Sequence, residues 1–225
     1  MEKFIKYMIA ACAVFQLVGC ATSLTAVYRD SCNSLDYTSY KKSGGLERFI
    51  VENGDTKCES DDKYGAERIM ERAERQSNHL SIDKNWIFSA KIKFIQLGKT
   101  RNIFNQIHAG GYKVVPPFWI GAVPNPIYPE KVDLIDMQGG GYKSGAFEFG
   151  EEHDLRILYN FLPQNILNVT IFVDDVQVYK LTNHVYTGSS VYSKYGIYRF
   201  HYSYQTIGLD DSIVEFRDVE MKSVE

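Results

Sequence analysis

The chain has 225 residues, of which 14% are aromatic and 24% charged, and its formal net charge is −3 at pH 7. This length suits a single all-β domain, because such domains often reach roughly 200–250 residues. The balance of charge gives no sign of nucleic-acid binding, so any groove that binds an anionic polymer must be a local feature.

The first residues have the pattern of an export signal. Lys3 and Lys6 precede a mostly apolar run over 7–18, which is shorter than the ~20 residues that a membrane span needs. The run ends in Leu17-Val18-Gly19-Cys20, which resembles a bacterial lipobox. The resemblance implies that 1–19 is a signal peptide and that Cys20 carries lipid. The alternative is an ordinary secretory signal with a chance cysteine.

The residue after the lipobox cysteine bears on localisation. In lipoproteins of this kind an aspartate at that position usually signals retention in the inner membrane, and this chain has Ala21 there. The resemblance therefore implies a lipid anchor in the cell envelope, at the outer membrane. We expect 20–27 to be a tether and 28–225 to be one domain.

Two cysteines are left for the folded domain. Of the four in the chain, Cys12 lies in the predicted signal and Cys20 at the predicted lipidation site. An exported chain favours oxidation of the other two, so we expect a Cys32–Cys58 disulfide. Two unpaired, buried thiols are the alternative.

The domain shows the alternation of β-strands. Apolar residues take every second position over 86–94 and 167–173, and Asp174-Asp175 then predicts a hairpin turn. Only 61–72 has the pattern of a short helix, and the prolines between 116 and 129 indicate a long irregular connection. About a dozen strands predict two packed antiparallel sheets, a jelly roll with one concave outer face.

Three distant segments place polar side chains on a shared strand phase. Successive strand residues point to opposite faces, so Gln106 and His108 share a face, and so do Tyr192, Lys194 and Tyr198, with Gly196 giving clearance. The third segment carries Arg72, Glu74 and Gln76. The intervening positions Ala73, Ile107 and Ile197 are apolar and suit the core. We therefore predict that the three segments are neighbouring strands of one groove.

These segments resemble a known family. Gln-Ile-His at 106–108, Tyr-x-Lys-x-Gly-x-Tyr at 192–198 and Arg-x-Glu at 72–74 resemble the β-jelly-roll polysaccharide lyases, the alginate-lyase-like and heparin-lyase-like enzymes. The family pattern continues to a second arginine where this chain has Gln76, and Arg75 stands one place early. That departure weakens alginate as the substrate and favours the heparin-lyase-like branch.

The resemblance implies a concanavalin A-like jelly roll that cleaves a uronate-containing acidic polysaccharide by β-elimination. We expect a monomer without cofactor or metal. Three other functions stay open: a glycan-binding lipoprotein without activity, a retaining glycosidase and a structural envelope protein. A glycosidase would need two carboxylates roughly 5–5.5 Å apart, for which the sequence offers no convincing strand.

The chemistry assigns a role to each polar residue. A base must remove the C5 proton of the uronate, an acid must protonate the leaving O4, and a donor must neutralise the carboxylate as the enolate forms. His108 suits the base and Tyr198 the acid, although the choice between them as base stays open. Gln106 and Arg72 suit the carboxylate. The residues expected to bind neighbouring sugars or to orient others are Lys194, Glu74, Gln76 and Tyr192.

Overall fold

The computed structural model describes residues 25–30, 39–52, 68–110, 115–138, 140–188, 190–202 and 210–224. The predicted signal peptide, the lipidation site Cys20 and the disulfide partners Cys32 and Cys58 lie outside these residues. Within the described ranges all regular structure is β-strand, and no helix could cross a membrane. The strands are β1 (Tyr28–Asp30), β2 (Tyr40–Ser43), β3 (Leu46–Val51), β4 (Arg68–Ser77), β5 (Asn85–Gln96), β6 (Asn102–Ala109), β7 (Phe118–Pro124), β8 (Lys131–Asp136), β9 (Tyr142–Glu148), β10 (Glu152–Leu162), β11 (Ile166–Val173), β12 (Val176–Val185), β13 (Val191–Tyr202) and β14 (Ser212–Val224).

The strands form two antiparallel sheets of seven. The first, which we call the groove sheet, has the order β1-β4-β13-β6-β7-β8-β9, and the second, the back sheet, has the order β12-β11-β10-β5-β14-β3-β2. Their facing sides share one large apolar core. The predicted all-β jelly roll of two packed sheets is confirmed.

The alternation read from the sequence matches the buried phases. In β5 the residues Trp86, Phe88 and Phe94 are buried, and β11 alternates in the same way. Asp174 and Asp175 adopt positive φ angles of 49° and 62°, which two-residue hairpin turns require. The predicted hairpin between β11 and β12 is therefore confirmed.

Two local predictions were wrong. Residues 68–72 belong to β4, so the helix expected over 61–72 does not form there; 61–67 lie outside the described residues. Cross-strand pairing of 68–72 with β13 outweighs the weak helical pattern. The proline-rich stretch is also not one connection, because β7 runs through it and admits Pro124 as its last residue.

Residues 25–27, immediately before β1, pack on the domain. Thr25 forms a bridge with Lys222, the Ala26 amide donates to the Met221 carbonyl oxygen at 2.8 Å, and Ala26 is buried. The last residues of the predicted tether are therefore part of the folded unit.

Candidate active site

The three predicted segments are neighbouring strands in the middle of the groove sheet. β13 pairs with β4 on one side and with β6 on the other. Lys194 lies opposite both Gln76 and Gln106, while Tyr198 lies opposite Arg72 and Tyr192 opposite His108. The alternate positions Ala73, Ile107 and Ile197 are in the core, as their phase predicts. The predicted polar residues consequently share the outer face of one sheet.

A buried polar cluster forms the centre of this face. The Gln106 amide donates from Nε2 to Glu74 Oε1 at 2.6 Å, and Lys194 Nζ lies 3.7 Å from Glu74 Oε2. All three side chains are nearly inaccessible, at 2% exposure for Gln106 and Glu74 and 6% for Lys194. Since an amide nitrogen carries two hydrogens, Gln106 keeps one to offer a ligand after donating to Glu74. Glu74 thus fixes the orientation of the amide and places an ammonium beside it.

Tyr198 lies at one end of this cluster. Its ring lies under the Arg72 guanidinium, whose carbon is 4.8 Å from the ring centroid. The ring also packs in a small apolar group with Ile103, Trp119 and Met137. The phenol is therefore held between a cation and an apolar wall.

His108 lies at the other end. Its Nδ1 is 2.8 Å from the Ala109 carbonyl oxygen, an acceptor only, so this contact places the proton on Nδ1 and leaves Nε2 as the basic nitrogen. The ring stacks on Tyr192 with centroids 5.1 Å apart, and the Tyr192 hydroxyl lies 3.1 Å from Nδ1. A basic nitrogen held in one tautomer suits a proton acceptor.

Tyr192 stays neutral at physiological pH. Burial and then the Glu74 charge raise the pKa of this phenol, and the Arg72 charge opposes them. Its ring also lies edge-on to His79 at 6.0 Å and below the Lys194 ammonium at 5.9 Å. Tyr192 is thus a neutral support for His108 that can hydrogen-bond a sugar.

The backbone conformation of β13 between Tyr192 and Tyr198 requires a glycine at position 196. Its φ of +136° is a conformation that other residues rarely adopt, and a Cβ atom there would lie 2.3 Å from the Ala73 carbonyl oxygen. The predicted need for clearance holds, although the close neighbour is the backbone of β4.

The two ends are well separated along the strands. Tyr198 lies opposite Ile103, five positions from His108 on β6, which is about 16 Å between Cα atoms at a strand rise of ~3.3 Å. The Gln106–Lys194 pair lies between them. A sugar centred on Gln106 has the imidazole on one side and the phenol on the other, and both side chains must reach toward it.

Sequence reasoning missed the wall beside Tyr198. Trp119 lies opposite Gln106 on β7, and the Met137 amide donates to the Trp119 carbonyl oxygen at 3.2 Å. Ile103 joins them because the pairing of β6 shifts between Ile103 and Asn105, which reverses the phase of the strand. The signal in the sequence was a tryptophan two residues after the proline pair Pro116-Pro117. Among the described residues, no group of three or more His, Cys, Asp or Glu could hold a metal ion.

Comparison with known proteins identifies the fold. No family model and no curated protein matches the sequence. The structure is similar to the family 7 alginate lyase AlyA1 from Zobellia galactanivorans, with a TM-score of 0.60 and 14% identity over 85% of this chain and 83% of that one. An alginate lyase from Pseudomonas aeruginosa has a TM-score of 0.56 and 15% identity over 84% and 87% of the two chains.

A fungal enzyme is similar over a longer part of the chain. The endo-β-1,4-glucuronan lyase from Trichoderma reesei has a TM-score of 0.50 and 12% identity over 92% of both chains. The protein therefore has the fold of the jelly-roll polysaccharide lyases.

Proposed function

We propose that this protein is a polysaccharide lyase that cleaves a uronate-containing polymer by β-elimination and leaves unsaturated uronyl ends. The observation that carries the proposal is the shared outer face of β4, β13 and β6. There a buried Glu74 orients the Gln106 amide and the Lys194 ammonium between a basic imidazole and a phenol. The fold shared with alginate and glucuronan lyases supports it.

The carboxylate of the reacting sugar binds at the Gln106 amide. The C5 proton is weakly acidic while that carboxylate is charged, so donors must take up charge as the enolate forms. Gln106 meets this need because Glu74 already fixes its orientation. Arg72 adds a cation from the side of Tyr198. The site then stabilises the enolate more than the bound substrate.

His108 and Tyr198 exchange the protons. Nε2 of His108 accepts the C5 proton, since Nδ1 holds its own proton toward Ala109. The Tyr198 phenol gives its proton to the leaving O4, because a phenol with an ordinary pKa near 10 is protonated at neutral pH. Lys194, Tyr192 and Gln76 bind the sugars on either side of the cleaved bond.

Product analysis tests this proposal. Purified protein is incubated with a panel of uronate-containing polysaccharides, and ultraviolet absorbance detects the conjugated double bond of the product. The same digests are run in ¹⁸O-labelled water, since elimination incorporates no oxygen from water whereas hydrolysis does. Unsaturated, unlabelled ends are expected. Labelled, saturated ends would make the protein a glycosidase, and tight binding without cleavage would make it a glycan-binding protein.

We also propose that the protein is anchored in the bacterial cell envelope, at the outer membrane, through lipid on Cys20. The support is the Leu17-Val18-Gly19-Cys20 sequence after a basic, apolar leader. Metabolic labelling with a fatty acid, compared between the wild type and Cys20→Ser, tests this. A wild-type mature form without acyl chains would exclude it. Thiol counting on the unreduced protein tests the Cys32–Cys58 disulfide in the same preparation.

A further inference from the structure

The outer face of the groove sheet, which we call the groove floor, carries little charge in its middle. Four side chains lie side by side at one level of the sheet, from β4 across β13 and β6 to β7: Gln76, Lys194, Gln106 and Trp119. Lys194 bears the one formal charge of this row, and Glu74 lies 3.7 Å from its ammonium. A polymer lying across these strands thus meets amides and an indole at most positions.

The floor becomes apolar beyond Gln106. Trp119 and Met137 pack with Ile103, and the outer positions that follow on β7 and β8 are Gly121 and Ile135, which are paired with each other. Neighbouring strands are about 4.8 Å apart, close to the length of one pyranose residue. A polymer that crosses the strands would therefore place about one sugar over each strand, and the sugars over β7 and β8 would lie on an apolar surface.

The charges near this surface do not favour an anion. Asp133 on β8 is fully buried, and its carboxylate accepts hydrogen bonds from the Asn125 amide and the Gly145 backbone amide at 2.7 Å each. Burial opposes ionisation, but these bonds and that of Tyr142 outweigh it and lower the pKa of Asp133. Asp133 shares the strand phase of Ile135 on β8, so an anion borders the β8 end of this apolar surface.

The two described lysines of β8 and β9 do not offset this anion. Lys131 is ion-paired with Glu148. Lys143 lies opposite the core residue Leu134, on the other strand phase.

We infer that the substrate is a heteropolysaccharide in which the cleaved uronate is followed by a neutral sugar that stacks on Trp119. The inference rests on the proposed function and narrows its substrate class. Alginate and glucuronan, by contrast, carry a carboxylate on every sugar. In such a chain the next carboxylate would lie on the indole, where it would lose hydration. Among the described residues of β7, β8 and β9 the outer-face cation, Lys131, is already paired with Glu148.

A paired set of substrates tests this inference. The alternating polymers are heparosan, hyaluronan and unsulfated chondroitin, in which glucuronate alternates with a neutral N-acetylhexosamine. The homopolymers are polymannuronate, polyguluronate and glucuronan. The wild type should show a kcat/KM at least about tenfold higher on one alternating polymer than on any homopolymer. Equal or faster cleavage of a homopolymer would overturn the inference and leave the proposed function intact.

Three variants at two positions of the groove floor, Trp119 and Gln76, sharpen the test. Trp119→Ala should lower kcat/KM on the alternating polymer about tenfold, and Trp119→Phe should lose less, because stacking area is partly kept. Gln76→Arg should raise the ratio of homopolymer to alternating-polymer cleavage by adding a cation to the row. Phe172→Ala, an aromatic truncation on the back sheet, is the matched control and should leave both substrates unaffected. An unchanged preference in Trp119→Ala, with the fold intact by circular dichroism, would contradict the inference.

Binding measurements separate the two claims if no polymer is cleaved. Titration calorimetry with the same six polymers then decides the ligand class. Tighter binding of alternating polymers that is weakened by Trp119→Ala supports the inference while the lyase proposal fails. Tighter binding of homopolymers, or no binding at all, overturns both.

Discussion

Both faces of β4 carry charged side chains, but one face lines the groove and the other lies between the two sheets. Arg72 and Glu74 face the groove, whereas Arg75 points between the sheets. Arg75 donates to Glu47 Oε1 at 3.0 Å and to the Tyr28 carbonyl oxygen at 2.7 Å, and the Tyr195 hydroxyl donates to Glu47 Oε2 at 2.6 Å. We call Arg75, Glu47 and Tyr195 the inner cluster, and Arg72, Glu74, Gln106, Lys194 and Tyr198 the outer cluster.

The two clusters differ in what their polar groups face. The inner cluster is closed by protein groups from both sheets and ties β4 of one sheet to β3 of the other. Burial, then the Glu47 charge, raises the pKa of the Tyr195 phenol far above its ordinary value, so the ring stays neutral. The outer cluster directs an amide, an ammonium and a phenol toward the groove. The inner cluster thus stabilises the fold, and we assign the chemistry to the outer one.

Removal of the inner arginine should have the largest effect on stability. Arg75→Met leaves the Glu47 carboxylate between the sheets with fewer partners and should lower the free energy of unfolding by about 3 kcal/mol. Urea unfolding followed by circular dichroism measures it. Gln76→Met, the next residue but on the outer face, is the control and should change stability by less than about 0.5 kcal/mol. Equal losses in the two variants would contradict the distinction between the faces.

The neighbours Asn105 and Gln106 make the same comparison on β6. Gln106→Ala should lower kcat/KM by about 10²-fold, because a donor to the enolate is lost while the fold is kept. Asn105→Ala removes the acceptor of the Tyr159 hydroxyl inside the core, and it should lower stability and leave kcat of the folded protein unchanged. Steady-state kinetics and thermal melting of both variants measure this. Lost activity in Asn105→Ala alone would reverse the assignment.

Lys194→Ala should have a smaller effect, mainly on binding. Its ammonium lies in the central row but four residues from Tyr198, so KM should rise about tenfold with less change in kcat. This rise in KM should be smaller at high salt, because salt already screens the attraction between the Lys194 ammonium and the anionic substrate in the wild type. Lys91→Ala on the back sheet is the control. A kcat loss as large as that of Gln106→Ala would place Lys194 at the reacting sugar instead.

The smallest expected effect is on how the free energy of unfolding changes at acid pH. Burial opposes ionisation of Glu47, but bonds from Tyr195 and Lys42 and the Arg75 charge outweigh it and lower its pKa. A lowered folded pKa stabilises the protein above the ordinary glutamate value of about 4.3, and this is lost as pH falls through the folded value. Unfolding free energy measured downward from pH 6 should fall less steeply in Glu47→Gln than in the wild type. Parallel curves would contradict the role of Glu47.

Strand phase explains how much of this could be predicted. A period of two is local, so the shared face of Arg72, Glu74 and Gln106 could be predicted from the sequence. The three segments were expected to be neighbouring strands because all carry polar residues on that phase, but their order in the sheet was not predicted. The Arg75–Glu47 pair could not be predicted, because it joins strands of different sheets whose alignment depends on the whole core. Trp119 was missed for a related reason: its place beside Gln106 depends on the pairing of β7 with β6, which no local pattern predicts.

Two tyrosines on β13 test the central claim most directly. Tyr195→Phe and Tyr198→Phe each delete one hydroxyl and keep the ring, one in the inner cluster and one in the outer. On a polymer that the wild type cleaves, Tyr198→Phe should lower kcat by about 10²–10⁴-fold with a nearly unchanged free energy of unfolding. Tyr195→Phe should keep kcat and lose about 1 kcal/mol of stability. Wild-type release of unsaturated ends by Tyr198→Phe would contradict the assignment of the chemistry to the groove face.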